Sequence, residues 1–266
     1  LSLSDQTICS PKFTYIRFDH LKKDILMKVG LLVCGAFSEK IMEKYEGVYE
    51  DLFIKGLSGA DPSLQFQSYH VFEDEFPQDN DECDAWLITG SKSGVYDNLD
   101  WMIRLQDFIR LLYKQETPLV GICFGHQIIA AALGGVVEKS DTGWGLGFQR
   151  YDVVGSISDL QVDKLDLYAI HQDQVVSLPP NARCFAKTDQ CPNAALIYKG
   201  RVLSFQPHPE FSKQFQQDLI ESIMGDSFST DLGAKALEGM KDTKVHNQVV
   251  MKLIVSFMKN KSEITY

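Results

Sequence analysis

The stretch PLVGICFGHQIIAAALGG, residues 118–135, sets one cysteine between two glycines with an apolar run on either side. The first run is short and rich in β-branched residues, which reads as a buried strand. The second, closed by Gly134 and Gly135, reads as an apolar helix. A strand that passes into a helix with no linker must turn sharply. Gly121 and Gly125 remove the side chains that would collide in that turn, and Cys123 between them is forced into a strained backbone conformation. Such a junction belongs at the carboxyl edge of a sheet whose next helix packs back against it, which leaves few folds open to the chain.

The rest of the sequence agrees with that constraint. KVGLLVC (28–34) and AWLITG (85–90) are further apolar runs that read as buried strands, and LQFQSYHVF (64–72) alternates as a strand does. The spacing predicts a helix over about 39–56, with Ile41, Tyr45, Val48 and Leu52 on one face, and another over 98–115, with Trp101, Leu105, Phe108 and Leu112 buried. Strands alternating with helices imply a parallel sheet covered on both faces. After residue 135 the segments VVEKS, GLGFQRYDVV, LYAIHQDQVVSL, ARCFAKTD and NAALIYKGRVLSFQPH read as shorter strands, with YKGR as a hairpin connection. Helices are expected again over about 212–224 and 241–258. The expected fold is therefore α/β: a three-layer, mostly parallel central sheet with helices on both faces and appended antiparallel strands. Residues 1–26 are expected as an irregular extension and 27–266 as a single domain.

Charge and composition exclude several function classes. The chain carries a formal net charge of −10 and is 44% hydrophobic and 23% charged, the balance of a globular protein with a sizeable core. An acidic chain is a poor partner for nucleic acid or an anionic membrane surface, both of which demand a basic face. No apolar stretch is long enough to span a bilayer. The six cysteines lie apart without C-x-x-C pairs, so reduced thiols and a cytoplasmic location are expected. The first 27 residues lack the apolar core and cleavage site of a signal peptide. EDEFPQDNDECD (73–84) reads as a solvated acidic loop, because its carboxylates have no regular metal-ligand spacing.

Chemistry concentrates at the Cys123 turn. Its sulfur would project from the end of a strand at a helix N-terminus, where the partial positive charge favours thiolate. The Phe124 amide would point at the oxyanion formed during acyl transfer, and a second donor can come from Gly90 or Ser91 in the TGSKSG turn (89–94). Six histidines are available as a base. His20 and His246 are expected at the surface, His70 and His126 in structural roles, which leaves His171 and His208. His208 stands in FQPHPEF, where flanking prolines fix the backbone and Glu210 lies on the same side of an extended segment. A carboxylate there can hold the far ring nitrogen and stabilise imidazolium, so Cys123, His208 and Glu210 have the chemistry of a triad.

GICFGHQIIAAALGG followed by FQPHPEF resembles the class I (triad) glutamine amidotransferases, over most of residues 28–212. The resemblance implies the flavodoxin-like fold of that family, attack by Cys123 on a γ-carboxamide, a γ-glutamyl thioester, proton transfer by His208 and orientation by Glu210. It implies that Gln127 holds the amino-acid end of the substrate. The segment IHQDQV, with His171, Gln172 and Asp173, matches the segment that lines the substrate α-carboxylate. Gln172 stands where many members have glycine, and Ser91 departs from the usual oxyanion turn. His171 is expected as a pocket-wall residue, and Trp144 borders the substrate or packs. Within the family the sequence resembles the stand-alone glutaminase and γ-glutamyl peptidase subgroup. The implied activity is glutaminase-type ammonia release, with hydrolysis of glutathione or its conjugates as the alternative; a non-catalytic cysteine sensor or partner-binding subunit is the alternative of another class. The resemblance implies no cofactor and no metal, a small-molecule substrate, and room for a synthetase partner protein, since the chain contains neither S-G-G-x-D-S nor a G-x-x-x-x-G-K-[ST] loop.

Overall fold

The computed structural model describes residues 26–45, 49–155, 160–199 and 201–259. The expected extension, up to residue 25, lies outside the described residues. In chain order the strands are β1 (Lys28–Val33), β2 (Gln65–His70), β3 (Ala85–Ile88), β4 (Leu119–Ile122), β5 (Val136–Lys139), β6 (Gly145–Val153), β7 (Lys164–His171), β8 (Asp173–Ser177), β9 (Ala182–Lys187), β10 (Ala195–Tyr198) and β11 (Val202–Phe205). The helices are α1 (Glu39–Tyr45), α2 (Tyr49–Ala60), α3 (Asp100–Lys114), α4 (Phe124–Ala132), α5 (Lys213–Ile223), α6 (Thr230–Gly239) and α7 (Asn247–Met258).

Nine strands form one sheet in the order β2-β1-β3-β4-β11-β10-β9-β6-β7. The first five run parallel and the remaining four join antiparallel. Their apolar runs are continuous because helices cover both faces: Phe53, Leu57, Val250 and Ile254 pack on one side, and Met102, Leu105, Ile109, Ile128 and Ile129 on the other. Strands β5 and β8 form a separate antiparallel pair. The result is an α/β three-layer core with antiparallel additions, as the sequence predicts.

Three local differences matter for the site. The stretch expected as one helix over 39–56 is two helices, α1 and α2, with residues 46–48 outside the described residues. The second helix starts its own register at Tyr49, so Tyr49, Phe53 and Leu57 are buried instead of a face running through Leu52. LYAIHQDQVVSL is likewise not one strand: β7 ends at His171 in the large sheet and β8 begins at Asp173 in the small one, so Gln172 is where the chain changes sheets. Helix α6 was not expected, because Gly233 and Gly239 lower its intrinsic propensity. It forms on a Ser229 cap, whose hydroxyl accepts from Leu232 N, and Gly233 admits the Met224 side chain against it. Among the described residues, no helix is long and apolar enough to cross a membrane, and Cys34, Cys83, Cys123, Cys184 and Cys191 are free thiols.

Candidate active site

Strand β4 ends at Ile122 and α4 begins at Phe124, so Cys123 alone makes the turn, at φ 53° and ψ −103°. A non-glycine residue in that region is strained, and the surroundings hold it there. Its N–H donates to Phe205 O at 2.8 Å and its C=O accepts from Gln127 N at 3.1 Å. The two glycines are sterically required. A Cβ on Gly121 would lie 2.5 Å from the Gly125 carbonyl, and one on Gly125 would lie 2.3 Å from Ile88 O. Phe124 N–H is the first amide of α4, one of the helix-start donors that have no partner within the helix.

His208 arrives from beyond β11, the strand beside β4, and is tied to β7 by its own N–H, which donates to Tyr168 O at 2.8 Å. Its ring stacks on Phe211, with centroids 4.1 Å apart and planes 3° from parallel. Nδ1 lies 2.6 Å from Glu210 Oε1, and both side chains are almost wholly buried. Nε2 is also buried and makes no hydrogen bond of good geometry among the described residues. Burial by itself lowers the affinity of this ring for a proton; the negative charges of Glu210 and then Cys123 oppose it and raise its pKa to about 10. The carboxylate of Glu210, with the cysteine sulfur behind it, thus keeps the buried imidazole protonated.

Sequence reasoning missed Tyr49. Its hydroxyl donates to Glu210 Oε1 at 3.3 Å and accepts from Gly90 N–H at 3.1 Å. Burial, then the charges of Glu210 and Cys123, push its pKa far up, so it remains a neutral phenol able to donate. Of the two amides open for the oxyanion turn, that of Gly90 is therefore committed to Tyr49, and Ser91 is the residue whose amide remains alongside Phe124. The signal that could have found Tyr49 is the break in helical periodicity after Tyr45, which resets the buried face.

Two neutral amides are also linked to the cysteine. Gln127, on α4, donates through Nε2 to Asp173 O at 2.8 Å and to Gln206 Oε1 at 3.1 Å. Gln206 in turn donates through Nε2 to Cys123 Sγ at 3.6 Å; this residue too was missed, being hidden in an apolar strand end. His171 Nδ1 meets Asp173 O at 3.1 Å, and Ser140 N donates to Gln172 O at 2.9 Å. Burial lowers the His171 pKa to about 4, with the positive charge of His208 adding to the effect, so this ring is neutral. Cys123, Gln127, His171, Gln172, Asp173, Gly90, Ser91 and His208 all line one cavity of about 550 Å³, whose lining also includes the apolar Phe37, Trp144, Leu219 and Ile223.

The other histidines stand apart from this chemistry. His126 is fully buried with Nδ1 2.8 Å from Ser204 Oγ. His70 is held between Glu50 and Glu75. His246, expected as a surface residue, is half-buried and locked to β7, exchanging bonds with the Asp166 backbone at 2.7 and 2.9 Å. His20 lies outside the described residues.

A family model described as glutamine amidotransferase class-I matches residues 65–224, more than half of the chain. Gamma-glutamyl peptidase 2 of Arabidopsis thaliana is 28% identical over 233 residues, covering 84% of this chain and 92% of that protein. A glutamine-hydrolyzing GMP synthase of Pseudomonas putida is 34% identical over 110 residues, 37% of this chain and 21% of that protein. The crystal structure of a glutamine amidotransferase from Thermotoga maritima has the same fold, with a TM-score of 0.67 at 20% identity over 89% of this chain and 97% of that one.

Proposed function

The chain belongs to the class I glutamine amidotransferase family, and on that premise we propose that it hydrolyses γ-glutamyl amide bonds with Cys123, His208 and Glu210 as its triad. The observation that carries this reading is the buried 2.6 Å contact between His208 and Glu210 beside a cysteine held in a strained turn. In the first half-reaction the Cys123 thiolate attacks the γ-carbonyl carbon. The oxyanion is met by the amides of Phe124 and Ser91. His208, charged at the outset, passes its Nε2 proton to the leaving nitrogen as the C–N bond breaks, leaving a γ-glutamyl thioester and a neutral ring. Water then gives a proton to His208 while its oxygen attacks the thioester, releasing glutamate and restoring the thiolate–imidazolium pair. Glu210 keeps its charge throughout and holds the ring through Nδ1. Gln127 and the His171–Asp173 segment take the amino-acid end of the substrate.

Among γ-glutamyl substrates, a peptide fits the cleft better than glutamine. A cavity of about 550 Å³ lies in the range that encloses drug-sized molecules, more room than glutamine fills, and its lining includes the apolar Phe37, Trp144, Leu219 and Ile223, which offer contacts to a larger leaving group. The likeness to a γ-glutamyl peptidase along most of both chains supports the same choice. Parallel assays of glutamine and glutathione, reading free glutamate, test it. Faster turnover of glutathione is expected. Faster turnover of glutamine would favour the glutaminase reading, and stimulation by cell extract would then point to a synthetase partner. No turnover of either, with no adduct on Cys123 from a glutamine-analogue chloroketone, would instead support a non-catalytic sensor or scaffold.

A further inference from the structure

Gln206 follows β11 and is fully buried. Its backbone N–H is spent on Ala194 O at 2.7 Å, which leaves its carboxamide for Cys123 and Gln127. Nε2 of that carboxamide reaches Cys123 Sγ at 3.6 Å, and Oε1 accepts from Gln127 Nε2 at 3.1 Å. The second proton on Gln127 Nε2 goes to Asp173 O at 2.8 Å.

These contacts fix the direction of both amides. Turning Gln206 over would set two NH2 groups against each other and aim a carbonyl oxygen at the sulfur, where it would repel a thiolate. Turning Gln127 over would set two carbonyl oxygens against its own. With both protons of Gln127 Nε2 committed, its side chain can meet a ligand only as an acceptor, which suits an ammonium group and rejects an acceptor in the same place. We infer that Gln206 has two roles in this site: it stabilises the Cys123 thiolate by donating a hydrogen bond to it, and it orients Gln127 to select substrates that carry a free α-ammonium. The second role rests on the γ-glutamyl reading; the first does not.

Two variants separate the roles. Gln206→Glu keeps an oxygen for Gln127 but takes the donor from the sulfur, whereas Gln206→Met removes both. The rate at which iodoacetamide alkylates Cys123, followed by mass spectrometry of the Cys123 peptide across pH, reads the thiolate directly and needs no substrate. Its inflection is expected to move up by about one pH unit in either variant, the size of a charge-assisted hydrogen bond. An unchanged inflection in whichever variant keeps the wild-type melting profile overturns the first role. For the second, kcat/KM is compared between a γ-glutamyl amide and the glutaryl amide that lacks the amino group. Gln206→Met is expected to reduce the preference for the amino group about tenfold, mainly through KM, while Gln206→Glu retains it. Equal preference in wild type and Gln206→Met overturns the orienting role. Wild-type protein that cleaves neither amide overturns the hydrolase reading and the selection role with it, and the alkylation result still decides the first role.

Discussion

The corner around His208 and the corner around His126 and His171 bury their imidazoles to a similar degree, yet one ring is held protonated and the other two neutral. His208 is 3% exposed, His126 0% and His171 7%. Burial penalises the charged ring in all three, yet the pKa of His208 rises to about 10 while those of His126 and His171 fall to about 3 and about 4. The difference is a partner. His208 has a buried carboxylate at 2.6 Å and a cysteine sulfur nearby, whereas His126 faces a serine hydroxyl and His171 a backbone carbonyl. Burial makes a histidine sensitive to its neighbours, and a full negative charge decides the sign. One corner thus holds a protonated ring and the other neutral ones.

Removing the ring that sets the first corner apart has the largest expected effect. Cys123→Ala and His208→Ala should each lower γ-glutamyl hydrolysis by about a thousandfold or more, measured as glutamate release from protein with wild-type circular dichroism. Glu210→Gln would make the His208 corner resemble the other, because burial would then act on the ring without its carboxylate. A smaller loss is expected, about a hundredfold, since flanking prolines and the Phe211 stack still position the ring. The NMR titration of the ring should move down in this variant, and a ring that still titrates as in wild type would break the comparison.

Tyr49→Phe tests how far the charged corner depends on its supports. Loss of the hydroxyl removes its bonds to Gly90 N–H and to Glu210, and kcat should fall about tenfold with KM nearly unchanged, the order of a hydrogen bond to a charged group.

Stability against pH compares the two corners without any substrate. For His126 and His171 the folded pKa is below the ordinary 6.5, so the unfolded chain binds more protons and stability falls as pH drops from 6.5 toward 4. Each ring contributes up to about 1.4 kcal/mol per pH unit in that window. For His208 the folded pKa is above 6.5, so its contribution is complete below that pH and fades as pH rises toward 10. Urea titrations at pH 7 and pH 5 should therefore show an acid loss that His126→Gln reduces and Glu210→Gln does not.

Much of the site was legible in the sequence because it is local. A cysteine between two glycines at a strand–helix junction, and a histidine two residues from a glutamate between prolines, specify their own geometry within a few residues. Tyr49 and Gln206 were not legible for the opposite reason. Tyr49 belongs to a helix whose register restarts after α1, and Gln206 looks like one more residue at the end of a buried strand. Helix α6 was hidden by its glycines, although Ser229 followed by Asp231 carried a start signal.

The sequence alone determined the alternation that makes a parallel sheet, the strained turn at Cys123 and the pairing of His208 with Glu210, since each depends on steric and hydrogen-bonding rules acting over short distances. Tertiary structure alone decided which amides are free and which are spent. The Gly90 amide goes to Tyr49, from 41 positions earlier in the chain, and the Gln127 amide to Gln206, 79 positions later. Hydrogen bonds saturate: a donor committed to a neighbour across the fold is lost to the substrate, and that neighbour is known only once the sheet has brought them together.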